Sequence, residues 1–122
     1  MLGVAAGLSA EGFLPVATTY ATFLSLRSCE QVRHYMGYMQ QNIILIGSGA
    51  GLSMGFSGNT HYSIEDLAVM RAIPNIVILS PSDAGQAVKA FHAAVELKSP
   101  VYIRLSGGLN CPIIYKEESH LQ

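Results

Sequence analysis

Three short runs limit what this chain can fold into: Asn42–Gly47 (NIILIG), Asn75–Leu79 (NIVIL) and Pro100–Leu105 (PVYIRL). They are apolar almost throughout instead of alternating, bounded by Gly, Pro, Asn or Ser, and too short for helices. A strand without a polar face must be covered on both sides, which is the condition of a parallel sheet between helical layers. The segments between them change period. Ile64–Ala72 reads as a helix that Ser63 can cap, with Asp66 three residues on in a capping-box position. Ala84–Leu97 reads as a second helix, capped by Ser82 or Asp83. Upstream, Leu24–Met39 carries Leu24, Cys29, Val32, Met36 and Met39 at helical spacing, Gly12–Ala17 reads as a short strand, and Met1–Leu8 is a small-residue helical pattern. Strands of five or six residues alternating with helices define an α/β fold: a mostly parallel sheet with helices on both faces.

Composition narrows the function. The chain has 122 residues, one domain's length. Only 12% of residues are charged, and half are hydrophobic. A surface so poor in charge suggests cover by another domain or subunit. A net charge of −1 offers no basic footprint for nucleic acid or an anionic membrane. The longest apolar run, Ile43–Phe56, is short and broken by Gly and Ser, and Met1–Leu8 lacks a basic leader, so no membrane span or signal peptide is expected. Cys29 and Cys111 are too few for a disulfide framework. A reduced, cytoplasmic setting is the default expectation.

In open parallel sheets ligands sit beyond the carboxyl ends of the strands. That singles out the loop after Ala17, the glycine loop Gly47–Tyr62 and Ser80–Pro81–Ser82. The glycine loop is neither a dinucleotide fingerprint nor a phosphate loop: Leu52 and Met54 occupy the positions where a third glycine would fall, and no Gly-Lys-Ser/Thr occurs. His61 in this loop is either a loop or capping residue at the mouth of a helix or a site residue. Tyr20 and Phe23, three apart after a strand, either pack in the core or form a platform for a flat ring. Glu65 and Asp66 most simply serve the helix dipole. His34 and His92 fall in helical segments among polar residues, and His120 in a polar tail. No His pair has metal-ligand spacing, so no metal site is expected on this chain. Ser9, Ser53 and Ser57 lack a partner base.

Taken in order, MLGVAAGLSAEGFLPVATTYATF, CEQVRH, IILIGSGAGLSMGFSGNTHYSIEDLAVMRAIPNIVILSPSD and SPVYIRL resemble the pyrimidine-binding domain of the transketolase family of thiamine diphosphate enzymes, over Met1 to about Leu105. The resemblance implies a domain over residues 1–106, incomplete at its N-terminus, with 107–122 as a tail or the start of a linker. It implies that Tyr20, Phe23 and the position of Leu26 hold the aminopyrimidine ring, although many transketolases carry an aromatic where Leu26 stands. It further implies that His61, in the G-x-T-H segment Gly58–His61, assists proton transfer and stabilises developing negative charge. Thiamine diphosphate would be shared with a diphosphate-binding domain or subunit. Mg2+ would sit on that partner, because no G-D-G motif followed by Asn occurs here. The assembly would be a homo- or hetero-oligomer acting on a sugar or sugar phosphate.

The departures carry information too. The family's cofactor-activating glutamate precedes the position of Met1, and the uncapped first helix agrees with a start further upstream. Gly107, Gly49 and Ser57 stand where a phosphate-binding arginine, a substrate histidine and an acidic selector are usual; Arg104 is an odd number of residues from 107 and so should face the other way. The resemblance therefore implies transfer of a two-carbon ketol unit only together with the partner. The alternatives are a degenerate, non-catalytic assembly subunit or a pyruvate-using synthase similar to deoxyxylulose-phosphate synthase.

Overall fold

The computed structural model describes residues 1–107 together with Cys111, Pro112 and Ile114. Most of the expected tail, 107–122, lies outside the described residues.

Among the described residues four strands, β1 (Val16–Tyr20), β2 (Ile44–Ser48), β3 (Val77–Leu79) and β4 (Val101–Arg104), form one parallel sheet in the order β1-β2-β4-β3. The register sets Val16, Ile44, Val101 and Val77 in one row. The next row is Ala17, Leu45, Tyr102 and Ile78. Because side chains alternate along a strand, these rows face opposite ways. The central strands β2 and β4 are thus largely buried on both faces, the arrangement their unbroken apolarity demands, whereas β3, at the edge of the sheet, is half-buried.

Among the described residues five α-helices cover the sheet: α1 (Leu2–Ala10), α2 (Ala21–Ser25), α3 (Cys29–Val32), α4 (Asp66–Ala72) and α5 (Ala84–Leu97). On the larger face Leu2, Ala5 and Ala6 of α1, Leu24 of α2, Val32 of α3 and Met70 of α4 join Ala17, Leu45 and Tyr102 in one core. The other face holds a smaller cluster in which Ala94, Phe91 and Val95 of α5 pack on Ile44, Val101 and Ile103. Each fully buried Leu, Ile or Met contributes about 1.5–3 kcal/mol.

Local boundaries differ from the sequence reading at three places, each for a physical reason. The first strand starts at Val16 instead of Gly12, because Gly12 sits at φ 87° in the turn that ends α1 and Pro15 has no N–H to give a ladder. The strand therefore runs on through Thr18, Thr19 and Tyr20. The expected helix Leu24–Met39 is not continuous. After α2 the chain breaks where Ser28 Oγ donates to the Phe23 carbonyl, resumes as α3, and finishes in a π-helical stretch, Arg33–Tyr38. The helix expected from Ile64 starts two residues later, at Asp66. Its N-cap, Glu65, makes no side-chain cap bond, and Ser63 is buried without capping anything. At α5 the cap is Asp83: its Oδ1 accepts the Gln86 N–H at 2.8 Å, and Gln86 Oε1 in turn accepts from Ser82 N and Oγ.

Candidate functional site

Tyr20 is the last residue of β1 and also the residue before α2, so the chain turns from strand to helix directly on it. One short turn later Phe23 meets it edge to face, with ring centroids 5.5 Å apart. Neither ring belongs to the buried core; both are half-buried at the carboxyl end of the sheet. Position 61 reaches the same spot from the glycine loop after β2. The His61 ring lies 5.6 Å from Tyr20 and 5.3 Å from Phe23. Three residues separated by some forty positions thus form one aromatic cluster.

The glycine loop can deliver His61 there because its ends are tied. Gly51 and Ser63 pair as an antiparallel bridge, with N···O distances of 2.8 and 3.0 Å in the two directions. Within the tie, Gly58 takes φ 78° and ψ −175°, a region open essentially to glycine alone. Its carbonyl then accepts the His61 N–H at 3.0 Å, closing the Gly58–His61 turn. The helix α4 starts five residues beyond His61, so His61 does not cap it. The side chain instead shares a 2.9 Å hydrogen bond between Nδ1 and Thr60 Oγ1, which leaves Nε2 as its other polar atom.

Leu26, the third expected pocket residue, ends α2 and is 46% exposed; it lies outside the ring cluster. The next residue, Arg27, was not singled out by sequence reasoning. Its guanidinium lies 4.2 Å over the Phe23 ring, and its NH2 group donates to the Thr60 carbonyl at 2.9 Å. No local signal pointed to it, because α2 ends at Ser25 and Arg27 lies in the turn beyond.

Beside the cluster, a cavity of ≈ 380 Å³ is lined by Tyr20, Ser48, Gly49, Ser53, Met54, Phe56 and Gly107. Gly107 also borders a second cavity, ≈ 350 Å³, formed with Asp83, Val88, Leu105 and Cys111 at the start of α5. Among the described residues no group of three or more His, Cys, Asp or Glu is placed to hold a metal ion. No helix among them is long and apolar enough to cross a membrane.

Under the glycine loop, in the larger face, lies a polar cluster of Asp66, Tyr102 and Arg104. Asp66, read from sequence as a helix-dipole or capping residue, is instead fully buried, and its Oδ2 accepts from Tyr102 OH at 2.9 Å and from Arg104 Nε at 2.8 Å. Tyr102 and Arg104 are two apart on β4 and so share a face, the one turned to α4. Burial, then the Asp66 charge and hydrogen bond, push the Tyr102 phenol far above its ordinary range, against a smaller opposing pull from Arg104. Gly47 makes room for this ring: a Cβ there would stand 2.5 Å from the Tyr102 hydroxyl. Arg104 is therefore committed to Asp66.

The chain belongs to the transketolase pyrimidine-binding domain family, whose model matches residues 1–111. It is 40% identical over 105 residues to the 6-deoxy-6-sulfo-D-fructose transketolase subunit SqwH of Clostridium sp. (strain MSTE9), covering 86% of this chain and 33% of that protein. It is 35% identical over 117 residues to an apulose-4-phosphate transketolase subunit of Phocaeicola vulgatus, covering 96% of this chain and 37% of the relative. A solved structure described as a split gene transketolase, inactive beta4 tetramer, superimposes with a TM-score of 0.82 at 36% identity, covering 99% of this chain and 38% of that one. The chain thus spans about a third of the length of each of these relatives.

Proposed function

We propose that this chain is the pyrimidine-binding part of a transketolase-like enzyme that transfers a two-carbon ketol unit, and that it works together with a diphosphate-binding domain or subunit. The observation that carries this is the meeting of Tyr20, Phe23 and His61 at the carboxyl end of the sheet, where the two rings and the imidazole are half-buried outside the core and Tyr20 also lines a cavity. Thiamine diphosphate, when bound, supplies an electron sink for breaking and making the carbon–carbon bond next to a carbonyl.

The residues fit one end of that cofactor. Tyr20 and Phe23 offer rigid apolar area to a flat aminopyrimidine ring, and Leu26 would close its outer edge. His61 has Nδ1 occupied by Thr60, so Nε2 is the atom that would give or take a proton at the substrate's oxygen. The diphosphate and its Mg2+ would sit on the partner, as the family resemblance implies. Relatives named as transketolase subunits, and a tetramer of one subunit described as inactive, support that division of labour.

The test is reconstitution. Mixed with a diphosphate-binding partner, thiamine diphosphate and Mg2+, the chain should transfer ketol units, and His61→Ala should lower turnover by about 10²–10⁴ with cofactor affinity nearly unchanged. Full activity of the isolated chain would sink the division of labour. A stable complex with no turnover on any ketose or pyruvate donor would replace the reading with that of a non-catalytic assembly subunit, and pyruvate acting as sole donor would make the chain part of a synthase.

A further inference from the structure

Within the proposed site one cationic side chain has no part in holding a ring or moving a proton, yet touches both elements that must be aligned. Arg27 stands in the turn after α2, four residues beyond Phe23, lays its guanidinium 4.2 Å over that ring, and reaches on to the Thr60 carbonyl at 2.9 Å. Thr60 is the residue whose hydroxyl engages His61 Nδ1. Phe23 therefore has the guanidinium over its face and the His61 ring 5.3 Å away. The backbone also ties the His61 loop, through the Gly51–Ser63 bridge and the Gly58–His61 turn, both of them running through a glycine with no side chain to anchor it. The planar fork is what lets one residue stack and donate at the same time, which an ammonium does poorly.

We propose that Arg27 is a positioning residue that clamps the Thr60–His61 segment to the Phe23 face of α2 and so fixes where His61 Nε2 points. This rests on the reading of His61 as the proton-transferring group. A misplacement of a reacting group by about 1 Å can cost on the order of 10²-fold in rate. Loss of an exposed clamp, with the backbone ties intact, falls at or below that.

The test is a double-mutant cycle in the reconstituted enzyme, joined to ¹⁵N NMR of the His61 imidazole. Arg27→Ala should lower kcat by about 10-fold to 10²-fold, with KM for the donor sugar and the thermal midpoint nearly unchanged. Arg27→Lys should recover part of the loss, because it can still donate to Thr60 without stacking. In a His61→Ala background Arg27→Ala should change nothing, since its effect passes through the missing imidazole. Equal losses with and without His61, or no loss at all, would overturn the proposal. If His61→Ala itself leaves turnover intact, the catalytic reading fails and the NMR arm decides alone. A changed balance of Nδ1–H and Nε2–H tautomers in Arg27→Ala then upholds the clamp, and an unchanged spectrum ends it.

Discussion

Replacing Asp66 with alanine removes the acceptor for two groups at once, and the structure sets the cost. The Tyr102 hydroxyl is buried and would lose its partner, at about 1–3 kcal/mol. Arg104 would lose a 2.8 Å charge-assisted bond; being 16% exposed, it can recover part of that loss by turning to water. Breaking a buried pair from one side typically costs about 3–5 kcal/mol. The lower end applies here, because Asp66 Oδ1 already lacks a hydrogen-bond partner and alanine relieves that burial. The expected loss is about 3 kcal/mol, or about 10–20 °C in melting temperature for a domain of this size. Urea denaturation followed by far-UV circular dichroism measures it. Tyr102→Phe alone should cost about 1–2 kcal/mol by unpairing the carboxylate further. In an Asp66→Ala background the same change should be neutral or stabilising, since it removes the stranded hydroxyl. A loss below about 1 kcal/mol for Asp66→Ala, or two effects that add to within about 0.5 kcal/mol, would refute the reasoning.

The same cluster gives a pH dependence: the Tyr102 phenol is raised above its ordinary value of 10.0, so the folded state holds a proton that the unfolded chain releases. Stability from this group is complete below pH 10 and falls as pH rises beyond it, and alkaline denaturation of Tyr102→Phe should lack that component. Gly58→Ala should lower turnover of the reconstituted enzyme and cost about 1–3 kcal/mol of stability, because alanine is strained at φ 78°; a crystal structure with His61 unmoved would contradict it. Phe23→Ala should weaken binding of thiamine diphosphate, read by calorimetry on the complex, while leaving the melting temperature within a few degrees, since the ring is only half-buried.

How much of this was legible beforehand differs by element. NIILIG, NIVIL and PVYIRL pointed to the fold class, because short runs without a polar face, bounded by breakers, suit parallel strands between two helical layers. Asp83 was readable as a cap because capping is local: donor and acceptor lie three residues apart. The break after α2 was not, since it depends on Ser28 finding the Phe23 carbonyl in competition with a helix that the apolar spacing favours.

The sequence by itself determined the period of each segment, the place of the glycine loop at the end of a buried strand, and the resemblance that pointed to Tyr20, Phe23 and His61. Tertiary structure alone decided what Asp66 and Arg27 do. Asp66 has the sequence look of a helix-start residue, but α4 lies against β4, and a carboxylate there meets Tyr102 and Arg104 from thirty-six and thirty-eight positions away. Arg27 has the look of a solvated cation until the glycine loop folds back and sets the Thr60 carbonyl thirty-three positions downstream within its reach. Neighbours along the chain set periodicity and caps, whereas the partner of a polar side chain is set by which strands lie side by side.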